Sequence, residues 1–308
     1  MLLAILHSYR YLPKQKVNKM NKILITGAAG QMGGIVIDTL LKKITPQQIN
    51  ALTRKEEKRL ELEAKGLNAF LGSYDDIPSL EKAMEGVDTV LLISAGSEGD
   101  RMQQHKNVVD TAKKMGVQNI AYTSRSLKDR ATLVNKMMVE HFQTEDYIKA
   151  SGLKYILFKN ALYMETLVYY VGKNVFEKGE FAQVAGDGRT AFTLRKDQSE
   201  AMANVLLTED FNNQIYNFTN SETYSMYDVA TALTELSGKK IVYSPMDLST
   251  YQTTKAAEGT PPFMVKIFVN FNLDIQNGQE TVVSDDLENK LGRKPTSLKD
   301  GLKELFKL

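Results

Sequence analysis

The chain has 308 residues, of which 43% are hydrophobic and 25% are charged, and its formal net charge is +2. These values are typical of a globular protein, and they exclude a disordered chain and a strongly basic nucleic-acid-binding surface. The sequence contains no cysteine and only three histidines. Disulfides and thiolate chemistry are therefore excluded, no metal site is expected, and a cytoplasmic location is favoured.

The first nineteen residues differ from the rest of the chain. Their apolar stretch, Met1–Leu6, precedes the basic residues instead of following them, and it is too short for a secretory signal. Met20-Asn21-Lys22 would itself make a natural start, just before the first predicted strand. We interpret residues 1–19 as a non-structural N-terminal extension, with a membrane-surface anchor as the alternative. No run of the sequence is long enough to span a membrane, so we expect no membrane partner.

The most informative motif follows this extension. An apolar strand, Ile23–Ile25, runs into Gly27-x-x-Gly30-x-x-Gly33, and a helical pattern continues to Leu41. Glycines allow a tight turn next to phosphates, and the helix N-terminus offers free N–H groups. The motif therefore predicts a dinucleotide-binding loop, although an ordinary strand–turn–helix connection is the alternative. The loop residues expected to contact the cofactor are Gly27, Ala29, Gly30, Gln31, Met32 and Gly33.

The end of the second strand indicates which nicotinamide cofactor binds. NAD-binding proteins usually place a carboxylate there to hold the ribose 2′-hydroxyl. Here the strand Ile49–Thr53 ends in Arg54-Lys55. A guanidinium suits a 2′-phosphate, which a carboxylate would repel. We therefore predict NADP(H) with Arg54 at the 2′-phosphate. A solvated arginine at the start of a charged helix is the alternative.

Strand and helix patterns continue to alternate as far as residue 165. This rhythm predicts an α/β fold with a Rossmann-type, doubly wound parallel sheet over residues 20–165. The further strands are predicted at Ala69–Leu71, Thr89–Ile93, Asn119–Thr123 and Tyr155–Phe158, and the helices at Lys55–Lys65, Pro78–Met84, Arg101–Met115 and Thr132–Ala150. Ligands of such sheets lie at the carboxyl ends of the strands. The rim residues expected there are Ser73, Ser94, Ala95, Gly96, Asn160 and Tyr163.

Residues 166–308 do not repeat this rhythm. Helices are predicted at Tyr227–Ser237 and Pro262–Val269, with short strands at Phe181–Val184, Ile215–Phe218 and Ile241–Tyr243. The turn Gly186-Asp187-Gly188 predicts a hairpin-like connection. We interpret this half as a smaller C-terminal lobe on the substrate side, with some return to the Rossmann domain.

Together these segments resemble the NmrA-like group of atypical short-chain dehydrogenase/reductases, above all the bacterial NADPH-dependent quinone reductases and triphenylmethane dye reductases. The resemblance spans about residues 20–305. The segments that carry it are Ile25–Gly34, Thr53–Lys55, Leu91–Gly96, His105–Val109, Ile120–Ser124, His141–Glu145, Asn160–Tyr163 and Ser284–Gly292.

The resemblance implies that NADPH binds with its pyrophosphate on the glycine loop and its nicotinamide against the segment that begins at Asn160. Two residues depart from the family pattern. Ser73 stands near the adenine where the family often has Asp, and Lys159 replaces the usual Arg. The loop from Arg125 to Lys136 also matches poorly, and such loops usually shape substrate choice.

Typical short-chain dehydrogenases protonate the substrate oxygen with a Tyr-x-x-x-Lys pair on the helix after the fifth strand. That helix contains Tyr147 alone, whereas Tyr155 and Lys159 have the spacing but lie on a predicted strand. We therefore expect no such relay. Hydride transfer to an acceptor that is already electrophilic, such as a quinone or a cationic dye, does not require one.

Three residues are candidates for catalysis, each with a simpler alternative. Asn160 could orient the carboxamide or the acceptor, or it could cap a helix. Tyr163 could stack on a flat ring or belong to an apolar helix face. His141 could donate a proton near neutral pH or be structural. His105 is interpreted as a packing residue remote from the rim.

The predicted function is an NADPH-dependent oxidoreductase that transfers hydride to a quinone-like or dye-like aromatic acceptor. The alternative is a non-catalytic, redox-sensing regulator of the NmrA type that binds NADP(H). We expect a small-molecule partner and no nucleic acid, and we leave open a homodimer.

Overall fold

The computed structural model describes residues 22–96, 98–208 and 210–308. The predicted extension, residues 1–19, lies outside the described residues. The first half alternates strands and helices as the sequence pattern indicates: β1 (Ile23–Ile25), α1 (Gln31–Leu40), β2 (Ile49–Thr53), α2 (Glu56–Ala64), β3 (Asn68–Leu71), α3 (Ile77–Ala83), β4 (Thr89–Leu92), α4 (Arg101–Lys114), β5 (Asn119–Arg125), α5 (Lys136–Ser151) and β6 (Lys154–Asn160).

The second half contains more helix than the sequence pattern predicts. Its elements are α6 (Leu167–Val171), α7 (Val175–Lys178), β7 (Glu180–Gln183), β8 (Arg189–Thr190), α8 (Arg195–Thr208), β9 (Gln214–Phe218), β10 (Tyr224–Ser225), α9 (Met226–Ser237), β11 (Val242–Pro245), α10 (Leu248–Ala257), α11 (Pro262–Gln276), α12 (Asp286–Leu291) and α13 (Leu298–Phe306). No helix in the described part of the chain is both long and apolar enough to cross a membrane.

The main sheet has seven parallel strands in the order β3-β2-β1-β4-β5-β6-β9. Strands β1, β2 and β4 are buried along their whole length, because helices cover both faces of the sheet. The strand order reverses between β1 and β4, and a crevice opens at such a point beyond the carboxyl ends of the strands. The predicted Rossmann-type fold is confirmed.

Two helix layers sandwich this sheet. On one face α1 and α8 pack together, burying Val36 and Ile37 with Met202 and Val205. On the other face α3, α4 and α5 bury Leu80, Val108 and Ile148. Neighbouring residues of β1 point alternately into these two layers, as strand geometry requires. Because α8 and β9 complete the sheet domain, residues 195–218 return to it from the second half.

A separate apolar cluster lies in the C-terminal half, where α6, α9 and α13 pack on β7 and β11. Helix α12 instead packs Leu287 into the sheet domain. The predicted hairpin at Gly186–Gly188 is wrong. Strand β7 pairs in parallel with β11, whereas β8 pairs in antiparallel with β10. A Cβ on Gly188 would lie 2.4 Å from the carbonyl oxygen of Ile275, so the turn packs against the end of α11 instead.

Helix α5 begins four residues later than predicted. The Asn135 side chain caps it by accepting the backbone N–H of Met137. The Asp274 carboxylate holds the preceding segment by accepting the N–H groups of Val134 and Asn135, at 2.8 and 3.1 Å. Residues 132–135 are therefore loop because a distant side chain on α11 binds their backbone.

Candidate functional site

A cleft of about 600 Å³ lies at the carboxyl ends of β1, β2, β3 and β4. It brings together most of the predicted cofactor-binding residues. Those that line it are Gly27, Ala29, Gly30, Arg54, Ser73, Ser94, Ala95 and Gly96, joined by Lys55, Lys58, Tyr74, Asp75, Glu98 and Gln104. The predicted residues that do not line it are Gln31, Met32, Gly33, Asn160 and Tyr163.

The glycine loop requires glycine at two of its positions. Gly27 has φ +58°, and a Cβ on Gly33 would lie 2.4 Å from the carbonyl oxygen of Gly27. Helix α1 begins at Gln31, and its first turn carries no acidic residue. The loop therefore presents bare backbone and a positive helix end to the cleft, an arrangement that fits a pyrophosphate.

The Tyr74 side chain links the end of β1, where the glycine loop begins, to the end of β4. Its hydroxyl lies 2.6 Å from Thr26 Oγ1 and 2.7 Å from the carbonyl oxygen of Ile93. Thr26 Oγ1 also accepts the backbone N–H of Ile93 at 3.0 Å. Burial raises the pKa of Tyr74, so its hydroxyl stays protonated. These bonds fix the ends of β1 and β4 next to each other beneath the cleft.

The end of the cleft away from the glycine loop, which we call the far end, is basic. Arg54, Lys55 and Lys58 line it, and the Arg54 Nη1 donates to Glu98 Oε2 at 2.9 Å. Both side chains of this ion pair are largely exposed, at 72% and 82%. An exposed pair of this kind contributes at most ~1 kcal/mol. An incoming phosphate can therefore displace Glu98 from Arg54.

Two side chains of α4 hold the peptide groups of Ala95 in the cleft wall. His105 Nε2 accepts the Ala95 N–H at 2.9 Å, and Arg101 Nε donates to the Ala95 carbonyl oxygen at 2.9 Å. Because Nε2 accepts, Nδ1 carries the proton toward Thr144 Oγ1, 2.8 Å away. Burial and the nearby Arg101 lower the pKa of His105 to about 3, so the ring is neutral. His105 is fully buried and packs edge-on against Tyr122, as the packing interpretation expects, but the expectation that it lies remote from the rim is wrong.

His141 lies below this wall and is 5% exposed. Its Nε2 is 2.7 Å from Arg101 Nη2, and its Nδ1 is 2.9 Å from the Tyr122 hydroxyl. Burial, with further contributions from Arg101 and other cations, holds its pKa well below the usual value. A neutral ring with both nitrogens engaged is poorly suited to donate protons in the cleft.

Asn160 and Tyr163 lie on the other side of the glycine loop. Asn160 ends β6 and is fully buried, and neither atom of its amide has a hydrogen-bond partner within the described ranges. It caps no helix, since the next described helical turn begins at Met164. The Tyr163 ring packs under the guanidinium of Arg195, whose Cζ lies 4.2 Å from the ring centroid. An unpartnered buried amide costs ~1–3 kcal/mol, and a bound ligand would offset that cost.

The residues considered for a tyrosine–lysine relay have other partners. The Tyr147 hydroxyl donates to Asp110 at 2.7 Å. Lys159 Nζ lies 3.4 Å from the buried Glu145, which also accepts from Ser124. Among the described residues, no three His, Asp or Glu side chains are grouped as metal ligands would be.

Long-range polar contacts that the sequence did not reveal shape the region around Asn160. Arg125, at the end of β5, donates to Glu280 Oε1 at 2.5 Å, and the side chains of this pair are 6% and 1% exposed. Burial raises the pKa of Glu280, and Arg125 opposes this shift. Arg125 lies opposite Asn160 in the sheet register. Gln279 also accepts the backbone N–H of Asp129 at 2.9 Å, so the loop after β5 is tied to the segment after α11.

Comparison with known proteins gives a consistent picture. The chain is 31% identical over 284 residues to quinone oxidoreductase 2 of Escherichia coli, covering 92% of this chain and 98% of that protein. The structure of Citrobacter sp. triphenylmethane reductase superposes with a TM-score of 0.86 at 32% identity, covering 93% and 100% of the two chains. The structure of the Escherichia coli quinone oxidoreductase with bound NADPH superposes with a TM-score of 0.86 at 31% identity, covering 92% of this chain and 99% of that one. The NmrA-like family model matches residues 19–305, and the chain belongs to the NmrA-like family.

Proposed function

We propose that this protein is an NADPH-dependent oxidoreductase that reduces a quinone-like or cationic aromatic acceptor by hydride transfer. The observation that carries the proposal is the cleft itself, which joins a bare glycine loop to a basic far end. The similarity to a quinone oxidoreductase with bound NADPH and to a triphenylmethane reductase supports the cofactor and the acceptor class.

The residues of the cleft suit each part of the cofactor. The backbone of Gly27–Gly33 would hold the pyrophosphate, and Arg54 with Lys55 and Lys58 would hold the 2′-phosphate. The peptide groups of Ala95, fixed by Arg101 and His105, form part of the wall of the same cleft. When bound, NADPH supplies a hydride from its nicotinamide ring.

The region around Asn160, Tyr163 and Arg125 is the proposed acceptor side, which would position the reaction and supplies few ionisable groups. The unpartnered side-chain amide of Asn160 would donate to and accept from the nicotinamide carboxamide, or donate to an oxygen of the acceptor. The partly buried Tyr163 ring would stack on a flat acceptor. Tyr147 and Lys159 are engaged elsewhere, and His141 is neutral and enclosed. An acceptor that is already electrophilic needs only close and correct placement, and solvent can provide protons afterwards.

The experiment follows the fluorescence of NADPH as purified protein is added, and then as quinones and triarylmethane dyes are introduced. Binding followed by acceptor-dependent loss of NADPH supports the reductase. Binding of NADP(H) without loss for any acceptor supports the non-catalytic regulator instead. If NADPH does not bind at all, the proposal for the glycine loop fails.

The role of Asn160 is tested separately with the variant Asn160→Leu. Since the Asn160 amide has no hydrogen-bond partner among the residues that the structure describes, the variant should fold at least as stably as the parent while its turnover falls. Unchanged turnover, together with unchanged cofactor affinity, would remove Asn160 from the site.

A further inference from the structure

Arg195, the first residue of α8, connects the two sides of the site. Its Nη1 donates to Gln31 Oε1 at 2.9 Å, and its guanidinium lies over the ring of Tyr163. Gln31 begins α1 directly after the glycine loop, whereas Tyr163 follows β6. One guanidinium therefore touches both the phosphate-binding side and the acceptor side.

The local structure holds Arg195 in place and leaves donors free. Glu165 Oε1 accepts the backbone N–H of Arg195 at 3.0 Å, while Glu165 Oε2 lies 4.0 Å from Nη1. The Arg195 side chain is 24% exposed. Within residues 22–96, 98–208 and 210–308, its Nε and Nη2 groups have no hydrogen-bond partner. The guanidinium is thus anchored through Gln31 and retains donors for a ligand.

The charge distribution indicates which ligand group these donors would meet. Arg54, Lys55 and Lys58 lie at the far end of the cleft, where the 2′-phosphate is proposed to bind. The glycine loop has only backbone N–H groups and the end of α1 to face the two charges of a pyrophosphate. A guanidinium beside that helix end can offer paired, charge-assisted hydrogen bonds to phosphate oxygens.

We propose that Arg195 binds the pyrophosphate of the cofactor and thereby holds the Tyr163 ring in position on the acceptor side. This inference rests on the proposed binding of NADPH. Arg195 would then distinguish ligands that carry the pyrophosphate from ligands that lack it, whereas Arg54 would bind the 2′-phosphate.

The test measures, by calorimetry, the affinities of NADPH and of 2′-AMP, which carries the adenosine and the 2′-phosphate but lacks the pyrophosphate. Arg195→Met should weaken NADPH by about 10-fold to 100-fold and leave 2′-AMP unchanged, because only NADPH reaches the guanidinium. Arg195→Lys keeps the charge without the paired donors and should give an intermediate loss. Arg189→Met, which removes an arginine bound to Thr223, is the matched control and should change neither affinity.

Two results would overturn the proposal: no loss of NADPH affinity in Arg195→Met, or equal losses for both ligands, which would indicate a general distortion. If Arg195→Met does not fold, Glu165→Gln provides the second test. That variant retains an oxygen that accepts the Arg195 N–H but removes a negative charge, so NADPH affinity should rise while 2′-AMP affinity stays constant. A fall in NADPH affinity would contradict the proposal. If the parent protein binds neither ligand, the proposed function itself fails.

Discussion

The two sides of the site are built in different ways. At the glycine-loop side, each contact surface is a short segment that directly follows its own strand, such as Gly27–Gly30 after β1 and Arg54 after β2. At the proposed acceptor side, residues far apart in sequence must meet, for example Arg125 with Glu280 and Val134 with Asp274. Substitutions on the first side should therefore act mainly on cofactor binding, and those on the second mainly on stability and acceptor turnover.

The largest effect is expected from Glu280→Ala on the acceptor side. Removing this carboxylate leaves the Arg125 guanidinium buried and unpaired, which should lower the free energy of unfolding by about 3–5 kcal/mol. Urea denaturation measures the loss. The double variant Arg125→Met with Glu280→Leu should recover much of it, because no unpaired charge remains. A single variant as stable as the parent would show that the pair does not hold this side together.

The next largest effect is expected from a substitution in the glycine loop, which should lower both cofactor affinity and stability. In Gly33→Ala the new Cβ meets the Gly27 carbonyl oxygen at 2.4 Å, so the loop must shift. We expect a stability loss of ~1–3 kcal/mol, as in overpacked sites, and a marked loss of NADPH affinity. The matched control is Gly34→Ala in the same helix, where a Cβ meets nothing within 4 Å. It should be neutral or stabilising by ~0.5–1 kcal/mol. Equal effects of the two substitutions would contradict the close approach.

A third prediction separates NADPH from NADH. Arg54→Ala should weaken NADPH binding by about 10-fold to 100-fold and spare NADH, because only NADPH carries the 2′-phosphate that this guanidinium is proposed to bind. Titration of both cofactors by fluorescence measures this. Glu98→Gln is the control: it frees Arg54 from its exposed ion pair and should leave NADPH binding equal or tighter. Equal losses for both cofactors in Arg54→Ala would refute the 2′-phosphate role.

The last prediction is a pH dependence of stability that arises from the cleft wall containing Ala95. The pKa of His105 is lowered to about 3 in the folded protein, against 6.5 in the unfolded chain. The unfolded chain therefore binds a proton first as the pH falls. The stability that neutral His105 contributes is complete above about pH 6.5 and is lost below it, with a slope of at most ~1.4 kcal/mol per pH unit.

His105→Gln removes this titration. Its free energy of unfolding should therefore fall less steeply than that of the parent between about pH 7 and about pH 5. Urea denaturation at several pH values gives both slopes. Identical slopes would show that His105 is not held neutral by the fold.

The difference between the two sides also explains what the sequence could reveal. The sheet, the glycine loop and the position of Arg54 follow from local patterns, since each strand end and its turn are continuous in the chain. The ring nitrogens of His105 bind the cleft wall although its helical spacing indicates only packing, because hydrogen bonds to a neighbouring loop leave no periodic signal. Likewise, the start of α5 depends on Asp274, and the role proposed for Arg195 depends on α8 returning to α1. Such contacts arise only once the chain is folded.

Direct hydride transfer is tested most directly by a single turnover with NADPH carrying deuterium at the transferable C4 position. The protein is mixed with this cofactor and a cationic triarylmethane dye, and the colourless product is analysed by mass spectrometry. We predict one deuterium on the central carbon of the dye, with slower loss of colour than for unlabelled NADPH. A product that carries hydrogen from solvent instead, or a dye that stays coloured while NADPH is bound, would contradict hydride transfer in this cleft.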